Sequence, residues 1–428
     1  MAVALRLTER VRASVYYPAL AHPVIRALLP GLATSALGDG MSAVAIAWLA
    51  LKLAPAGSKG LWVGAAVAAY SLPGAAGAVI LRRWLHGQAG TRLALANAIL
   101  RTAALGLVAV LALAALLSPL GYVLLLGVSS LLSAWGTAGK YTLIADLLPG
   151  EQRVAGNTVF GLSDQVSLMI GPALAGLVTA LAGPAVVLAA DAVSWAVLAV
   201  SYARVAPLVH RARSAPAGSA GPAGSAGPGA PARAGGWALI RSNPVLPGLL
   251  ALSFLFYLLY GPVEVALPVH VAGDLHGSAA VLGLFWAVFG IGAIFGQLAA
   301  PFLRRLPVWP TMTAIVLGWG LALLPLGFDL PLGLVLGAFF AGALIWGPWT
   351  SLSMAVFQDA APPGALAQVL AARGSLLIIA APLGTALGGP LVAAAGARGA
   401  LLVSALATIA IGLTTATILV LARCRQPA

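Results

Sequence analysis

Along the chain, apolar residues gather in long blocks that short polar or basic stretches interrupt. The first block runs from Leu28 to Leu53, and others follow at roughly 61–81, 94–117, 120–145, 155–182 and 184–206. A second set lies near 245–272, 277–303, 308–328, 331–357, 365–394 and 397–422. Each block is about as long as the ~20 residues a helix needs to cross the hydrocarbon core of a bilayer. The pattern predicts an all-α membrane protein with twelve transmembrane helices. The first block is too long for the core of a signal peptide, and no small-residue cleavage pattern follows it.

The blocks fall into two sets of six. Residues 1–27 form an N-terminal segment, 28–206 the first bundle, 207–240 a linker, 241–422 the second bundle and 423–428 a tail. The linker is rich in Ala, Gly, Pro and Ser and repeats AGSAGP at 217–222 and 223–228. A flexible chain of that length spans on the order of 30 Å. The halves echo one another. Asn243-Pro244-Val245-Leu246 matches His22-Pro23-Val24-Ile25, Asp359 with Pro362 matches Asp146 with Pro149, and Ala381-Pro382 matches Gly171-Pro172. Two pseudo-symmetric six-helix bundles facing a central site are a common way to build a transporter.

Composition sharpens this picture. Of 428 residues, 61% are hydrophobic and 8% charged, against about a quarter charged in soluble domains. That excludes a soluble enzyme, and the high hydrophobicity excludes a disordered chain. The net charge of +13 reads by position, since membrane proteins keep Lys and Arg in cytoplasmic loops. Lys52, Lys59 and Arg398 fall on the far side and Arg101 and Lys140 within spans, leaving eighteen of the 23 basic residues on the side where the chain starts. The termini are therefore expected in the cytoplasm, and the charge carries no nucleic-acid signal. The single cysteine, Cys424, forms no internal disulfide.

Short motifs in order along the chain resemble a known family. They are Leu37-Gly38-Asp39, Leu147-Leu148-Pro149-Gly150-Glu151-Gln152-Arg153 with Gly156-Asn157, Gly171-Pro172 with Gly176, Ala190-Asp191 with Ser194-Trp195, and Pro382-Leu383-Gly384 with Gly388-Gly389. From about 20 to 425 the chain resembles a twelve-span transporter of the major facilitator superfamily. It is most similar to the bacterial branch of macrolide-efflux and enterobactin-exporter-type proteins. The resemblance implies alternating access, with Gly171, Pro172, Gly176 and Pro382 at bending, gating helices and Arg82 and Arg83 in the gating loop after span 2. That loop departs from the family pattern, because Leu81 stands where an acid is usual. Gly127 and Val128 occupy the region where many proton-coupled antiporters carry an early Arg in span 4.

Ionisable residues inside spans are costly and mark function by default. Asp39 lies 11 residues into span 1, about 16 Å along a helix and so near midplane. It reads either as a carboxylate that takes and releases protons or as a structural hydrogen-bonding group beside Gly38 and Gly40. Asp164 in span 5 faces a polar cavity or makes an interhelical hydrogen bond. Glu264 in the outer half of span 7, with Tyr257 and Tyr260 on neighbouring turns, binds a cationic substrate, lies at an outer gate or sits partly hydrated at the interface. Asn97 and Arg101 share one helix face, and a buried cation needs an acidic partner. A mixed-charge cluster in the first bundle is the expectation, with Asp39, Asp146 and Asp164 as available acids. Lys140 is expected to snorkel, and Asp191 to serve packing. Trp286, Trp319 and Trp346 lie deeper than belt positions and are candidates for a cavity wall.

No catalytic constellation, cofactor motif or metal site stands out; His270, Asp274 and His276 share one outer loop without a third strong ligand. The leading expectation is a monomeric exporter in a bacterial cytoplasmic membrane, exchanging a small amphipathic drug, antibiotic or natural product for protons. A dedicated siderophore or metabolite exporter is the alternative within transport, and a scaffold or sensor with a degenerate transporter fold the alternative outside it.

Overall fold

The computed structural model describes residues 17–55, 57–85, 88–148, 150–214, 234–243, 245–303, 305–360 and 366–424. Among these, the regular elements are all helical. The first half contains α1 (Tyr17–Ala21), α2 (Pro23–Leu53), α3 (Lys59–Ile80), α4 (Arg82–Leu85), α5 (Gly90–Leu113), α6 (Pro119–Ser130), α7 (Ser133–Leu147), α8 (Gly150–Ala182) and α9 (Pro184–Ser214). The second contains α10 (Ala234–Ser242), α11 (Leu246–Gly273), α12 (Ala279–Leu303), α13 (Val308–Leu323), α14 (Leu332–Trp346), α15 (Trp349–Ala360), α16 (Leu366–Leu377) and α17 (Ala380–Cys424).

Ten helical stretches among the described residues are long and apolar enough to cross a membrane. The expected twelve differ from these at two places. In α8 only the shorter stretch Ile170–Ala182 is recognised as apolar, and Ala372–Leu421 counts as one stretch. Gly396 divides that stretch, because it takes φ 72° and ψ 174° inside α17. This is a left-handed φ that a residue with a side chain disfavours. Two spans are themselves interrupted. α6 gives way to α7 at Leu131–Leu132, and α14 to α15 at Gly347–Pro348, corresponding places in the two halves.

Lipid accounts for the outer surface. Leu107, Val110 and Leu113 of α5, Val193, Val197 and Val200 of α9, and Leu406, Leu413 and Val420 of α17 are all exposed. Their spacing of three, four or seven places each set on one helix face. The opposite face of α5, with Ala94, Ala98, Leu105 and Val108, is buried. In the first half α2 packs on α8 and α9, and α5 on α7 and α9; in the second, α11 and α13 pack on α17 and α12 on α14.

The halves meet through α8 with α12 and α3 with α17. Small residues set how close they come. A Cβ on Gly389 of α17 would already stand 3.3 Å from the Gly60 carbonyl oxygen and 3.4 Å from Gly64 Cα of α3. A Cβ on Gly283 of α12 would stand 2.7 Å from the Pro172 carbonyl oxygen of α8. Most of these contacts crowd toward the ends of the helices remote from the termini, a side called here the far face. The opposite side, where α2 begins and α9 ends, is the terminal face.

The boundaries between the halves differ from the expectation. α9 continues through Pro207 to Ser214, with Val209 still buried beyond the apolar block, and α10 occupies Ala234–Ser242. Residues 215–233, with the AGSAGP repeats, lie outside the described residues. Span 1 likewise starts at Pro23 rather than 28, with Val24 and Ile25 buried.

Candidate functional site: a carboxylate–guanidinium centre and an aromatic wall

Three donors from three helices converge on Oδ1 of Asp39, at the middle of α2. Arg101 Nη1 of α5 lies at 2.6 Å, the Tyr70 hydroxyl of α3 at 2.7 Å and Trp195 Nε1 of α9 at 3.3 Å. Arg101 Nη1 also donates to the Tyr70 oxygen at 2.9 Å. The guanidinium lies over the Tyr70 and Trp195 rings, 5.0 and 4.7 Å from their centroids. Those π faces and the carboxylate stabilise a cation held away from water. The partners differ in exposure: the Arg101 side chain is 9% exposed and that of Asp39 39%.

Beside this centre, fully buried Asp191 of α9 accepts from Ser42 Oγ of α2 at 2.5 Å and from Ser194 Oγ at 3.2 Å. A Cβ on Gly38 would collide with Asp191 Oδ1 and Ser194 Oγ, so the glycine lets α2 and α9 close around the carboxylate. Asn97, one turn before Arg101, is buried, and its side-chain oxygen has no hydrogen-bond partner among the described residues. Asp39, Asn97 and Trp195 line a cleft of about 270 Å³ that Thr137, Lys140 and Tyr202 also border. Lys140 Nζ lies 5.4 Å from the Tyr141 ring centroid.

In the second half, Glu264 of α11 accepts from Thr385 Oγ1 of α17 at 3.2 Å. One turn earlier, Tyr260 lies 6.1–6.2 Å from the rings of Trp319, Phe289 and Trp346. Phe339 and Trp286 extend the cluster through Phe289, at 5.5 and 5.8 Å. Trp319 and Phe339 are buried, whereas Tyr260, Glu264, Trp286 and Trp346 are partly exposed. Trp346 Nε1 is buried without a partner among the described residues. Aromatic faces attract cations, and a carboxylate one turn away adds charge. The arrangement suits a flat amphipathic or cationic molecule.

The remaining candidates fall as follows. Gly171 packs on Gly40 and Met41 of α2, and Pro172 and Gly176 face α12. Pro382 lies in α17, two residues before Gly384, on which a Cβ would collide with the Leu258 carbonyl oxygen of α11. Arg83 sits in α4 with its guanidinium 5.8 Å from the Trp84 ring centroid. The side chains of Asp164, Asp146 and Arg82 lie outside the described residues. Arg373 sits in α16. It is 8% exposed, lies 5.3 Å from the Phe357 ring centroid and donates to Ser353 Oγ at 3.2 Å. His270 pairs with Asp274 at 2.7 Å, and no metal-binding cluster occurs among the described residues.

Tyr70 and Thr385 are the groups that the sequence does not single out, and Trp195 enters there only as part of a family motif, not as a site residue. The usable signal for Tyr70 is a phenol deep in an apolar block, where a hydroxyl needs a partner.

Comparison with known proteins places these features in context. Residues 28–371 match the family model of the Major Facilitator Superfamily. The multidrug efflux pump Tap of Mycolicibacterium fortuitum is 30% identical over 171 residues, 40% of this chain and 42% of that protein. Tap of Mycobacterium tuberculosis is 34% identical over 158 residues, 36% of this chain and 37% of that one. The chain thus matches about two fifths of the length of these relatives. An uncharacterised MFS-type transporter of Sinorhizobium fredii is 25% identical over 271 residues, 61% of this chain and 63% of that one. Among solved structures, a D-xylose–proton symporter aligns with a TM-score of 0.65 at 12% identity, covering 91% of this chain and 96% of that one. A POT family transporter in complex with a thioalcohol-conjugated peptide aligns at 0.63 and 13% identity, covering 92% and 96%. At such identities the structural likeness concerns the fold.

Proposed function

The chain belongs to the major facilitator superfamily, and on that premise we propose that it exports a flat amphipathic or weakly cationic organic compound in exchange for protons. The observation that carries this reading is the Asp39–Tyr70–Arg101 centre, a carboxylate paired with a guanidinium deep in a membrane bundle. Protonating Asp39 removes half of that pairing, so a proton on Asp39 changes what holds α2 to α3, α5 and α9. A binding event is then tied to helix movement, which is the requirement for coupling. Glu264 with Tyr260, Trp346 and Trp286 is the assigned substrate wall. The glycine contacts of α3 with α17 and α8 with α12 are the assigned seal that rocking opens. Relatives described as multidrug efflux pumps support the substrate class, and the surplus of basic residues at the terminal face supports cytoplasmic termini in a bacterial cell membrane.

The test is transport by the full chain in proteoliposomes, with ethidium as the planar cationic probe. An imposed pH gradient is expected to drive ethidium against its own gradient. Asp39→Asn is expected to lower that driven rate by about a hundredfold while the protein still inserts. An unmodified protein that moves neither ethidium nor other planar cations under a pH gradient would sink the reading.

A further inference from the structure

We propose that the cleft inside the first bundle is the path by which protons reach Asp39 from the terminal face, separate from the space between the bundles in which an organic substrate moves. The inference rests on the proton-exchange reading above. The described walls of the cleft come from α2, α5, α7 and α9, all in the first half. Asp39 stands at its inner end, and Ser35 and Leu32 lie one and two turns nearer the terminal face on α2. Its volume of about 270 Å³ holds several waters, each of which takes ~30 Å³ in the liquid.

Two features support a water-filled cleft. Asn97 is 5% exposed, lines the cleft, and carries a side-chain oxygen with no partner among the described residues. A buried acceptor left unmade costs ~1–3 kcal/mol, and a water in the cleft satisfies it. Second, every hydrogen bond to the Asp39 carboxylate from a described residue ends on Oδ1. Oδ2 receives none of them, and the Asp39 side chain is 39% exposed beside a 9% exposed Arg101. A proton passed along the water forms an O–H bond at Oδ2 and neutralises Asp39. Arg101 keeps its charge, its bond to the Tyr70 oxygen and its contacts with the rings of Tyr70 and Trp195.

The groups around Asp39 are Tyr70 from α3, Arg101 from α5, Lys140 and Tyr141 from α7, and Trp195 with the nearby Asp191 from α9. From α8 comes Ser167, which donates to the Ala36 carbonyl. The Asp164 side chain lies outside the described residues. Arg101 and Lys140 face two described acids, Asp39 and Asp191, and a proton on Asp39 leaves this set one unit more positive.

The experiment uses the full chain with its single cysteine replaced, Cys424→Ser, in proteoliposomes with ethidium as the probe. Thr137 is an exposed wall residue of α7. Thr137→Cys is expected to react with a membrane-impermeant thiol reagent equally fast with and without saturating ethidium. Thr137→Trp fills the cleft and is expected to abolish pH-driven ethidium movement while leaving ethidium exchange at equal pH intact. Protection of Thr137→Cys by ethidium, or no labelling at all, overturns the proposal. Equal loss of exchange and driven movement in Thr137→Trp does so as well. An unmodified protein that exchanges ethidium but ignores a pH gradient overturns the proton reading and the path together. A Thr137→Trp protein with full pH-driven transport overturns the path alone.

Discussion

Arg101 and Asp39 depend on each other unequally. The guanidinium is 9% exposed and the carboxylate 39%, so each loses something different when the other is removed. Asp39→Leu leaves a buried cation without its hydrogen-bonded carboxylate, a loss below the ~3–5 kcal/mol of a fully buried pair because Asp39 is 39% exposed. Arg101→Leu leaves a carboxylate that still reaches the cleft and still accepts from Tyr70 and Trp195. The expected outcome is a clearly lower unfolding temperature for Asp39→Leu than for Arg101→Leu, measured in one detergent. Equal losses would mean that exposure does not set the balance. Tyr70→Phe removes one of three donors to Oδ1 without emptying the site; it is expected to keep ethidium exchange and to shift the pH at which driven transport is half-maximal. Asp39 and Arg101 were legible in the sequence because a charge inside an apolar block stands out. Tyr70 was not, and Trp195 only as part of a family motif, since aromatic residues are at home in such blocks and only the fold shows which of them turn a polar atom toward a carboxylate.

At the level of helices, small residues decide where elements touch. Gly176 of α8 and Gly283 of α12 sit face to face, and a Cβ on Gly176 would stand 2.9 Å from Gly283 Cα. Gly176→Leu must push α8 and α12 apart at the far face. Expected is a protein that folds but leaks, dissipating an ethidium gradient without a pH gradient, as efflux assays from loaded vesicles would read. An unchanged passive rate would remove this contact from the seal. The spans themselves followed from apolar block length, which is set by bilayer thickness and needs no tertiary information. Their interruptions did not follow. The break between α6 and α7 falls at Leu131–Leu132, between Ser129-Ser130 and Ser133, and Ser130 Oγ there donates to the Ala69 carbonyl of α3 at 2.9 Å. Such a break comes from packing between helices and leaves little trace in a hydropathy pattern. The Gly347-Pro348 pair between α14 and α15 is the readable version of the same event, because Pro removes a backbone donor.

For the molecule as a whole, the two halves repeat one architecture and divide the chemistry. The first holds the Asp39–Arg101 centre with its own cleft, and the second holds Glu264 beside a wall of rings. On the proposed reading, proton handling and substrate contact fall on opposite halves, and relative movement of the halves couples them. The seal at the far face is the place to test that dependence. A Cβ built on Gly60 of α3 would lie within 2.8 Å of Val392 Cβ of α17, nearer than the ~3.8 Å typical of a disulfide, so small outward shifts bring two cysteines into bonding range. In the Cys424→Ser chain, Gly60→Cys with Val392→Cys is expected to oxidise to a cross-link that pins α3 to α17. Cross-linked protein should still bind ethidium from the terminal face, because neither Glu264 nor its aromatic wall takes part in the bond. It should not transport, and a reducing agent should restore the rate. Transport that survives complete cross-linking would show that the halves need not separate at this seal, and the division of labour between them would have to work through movements within each bundle instead.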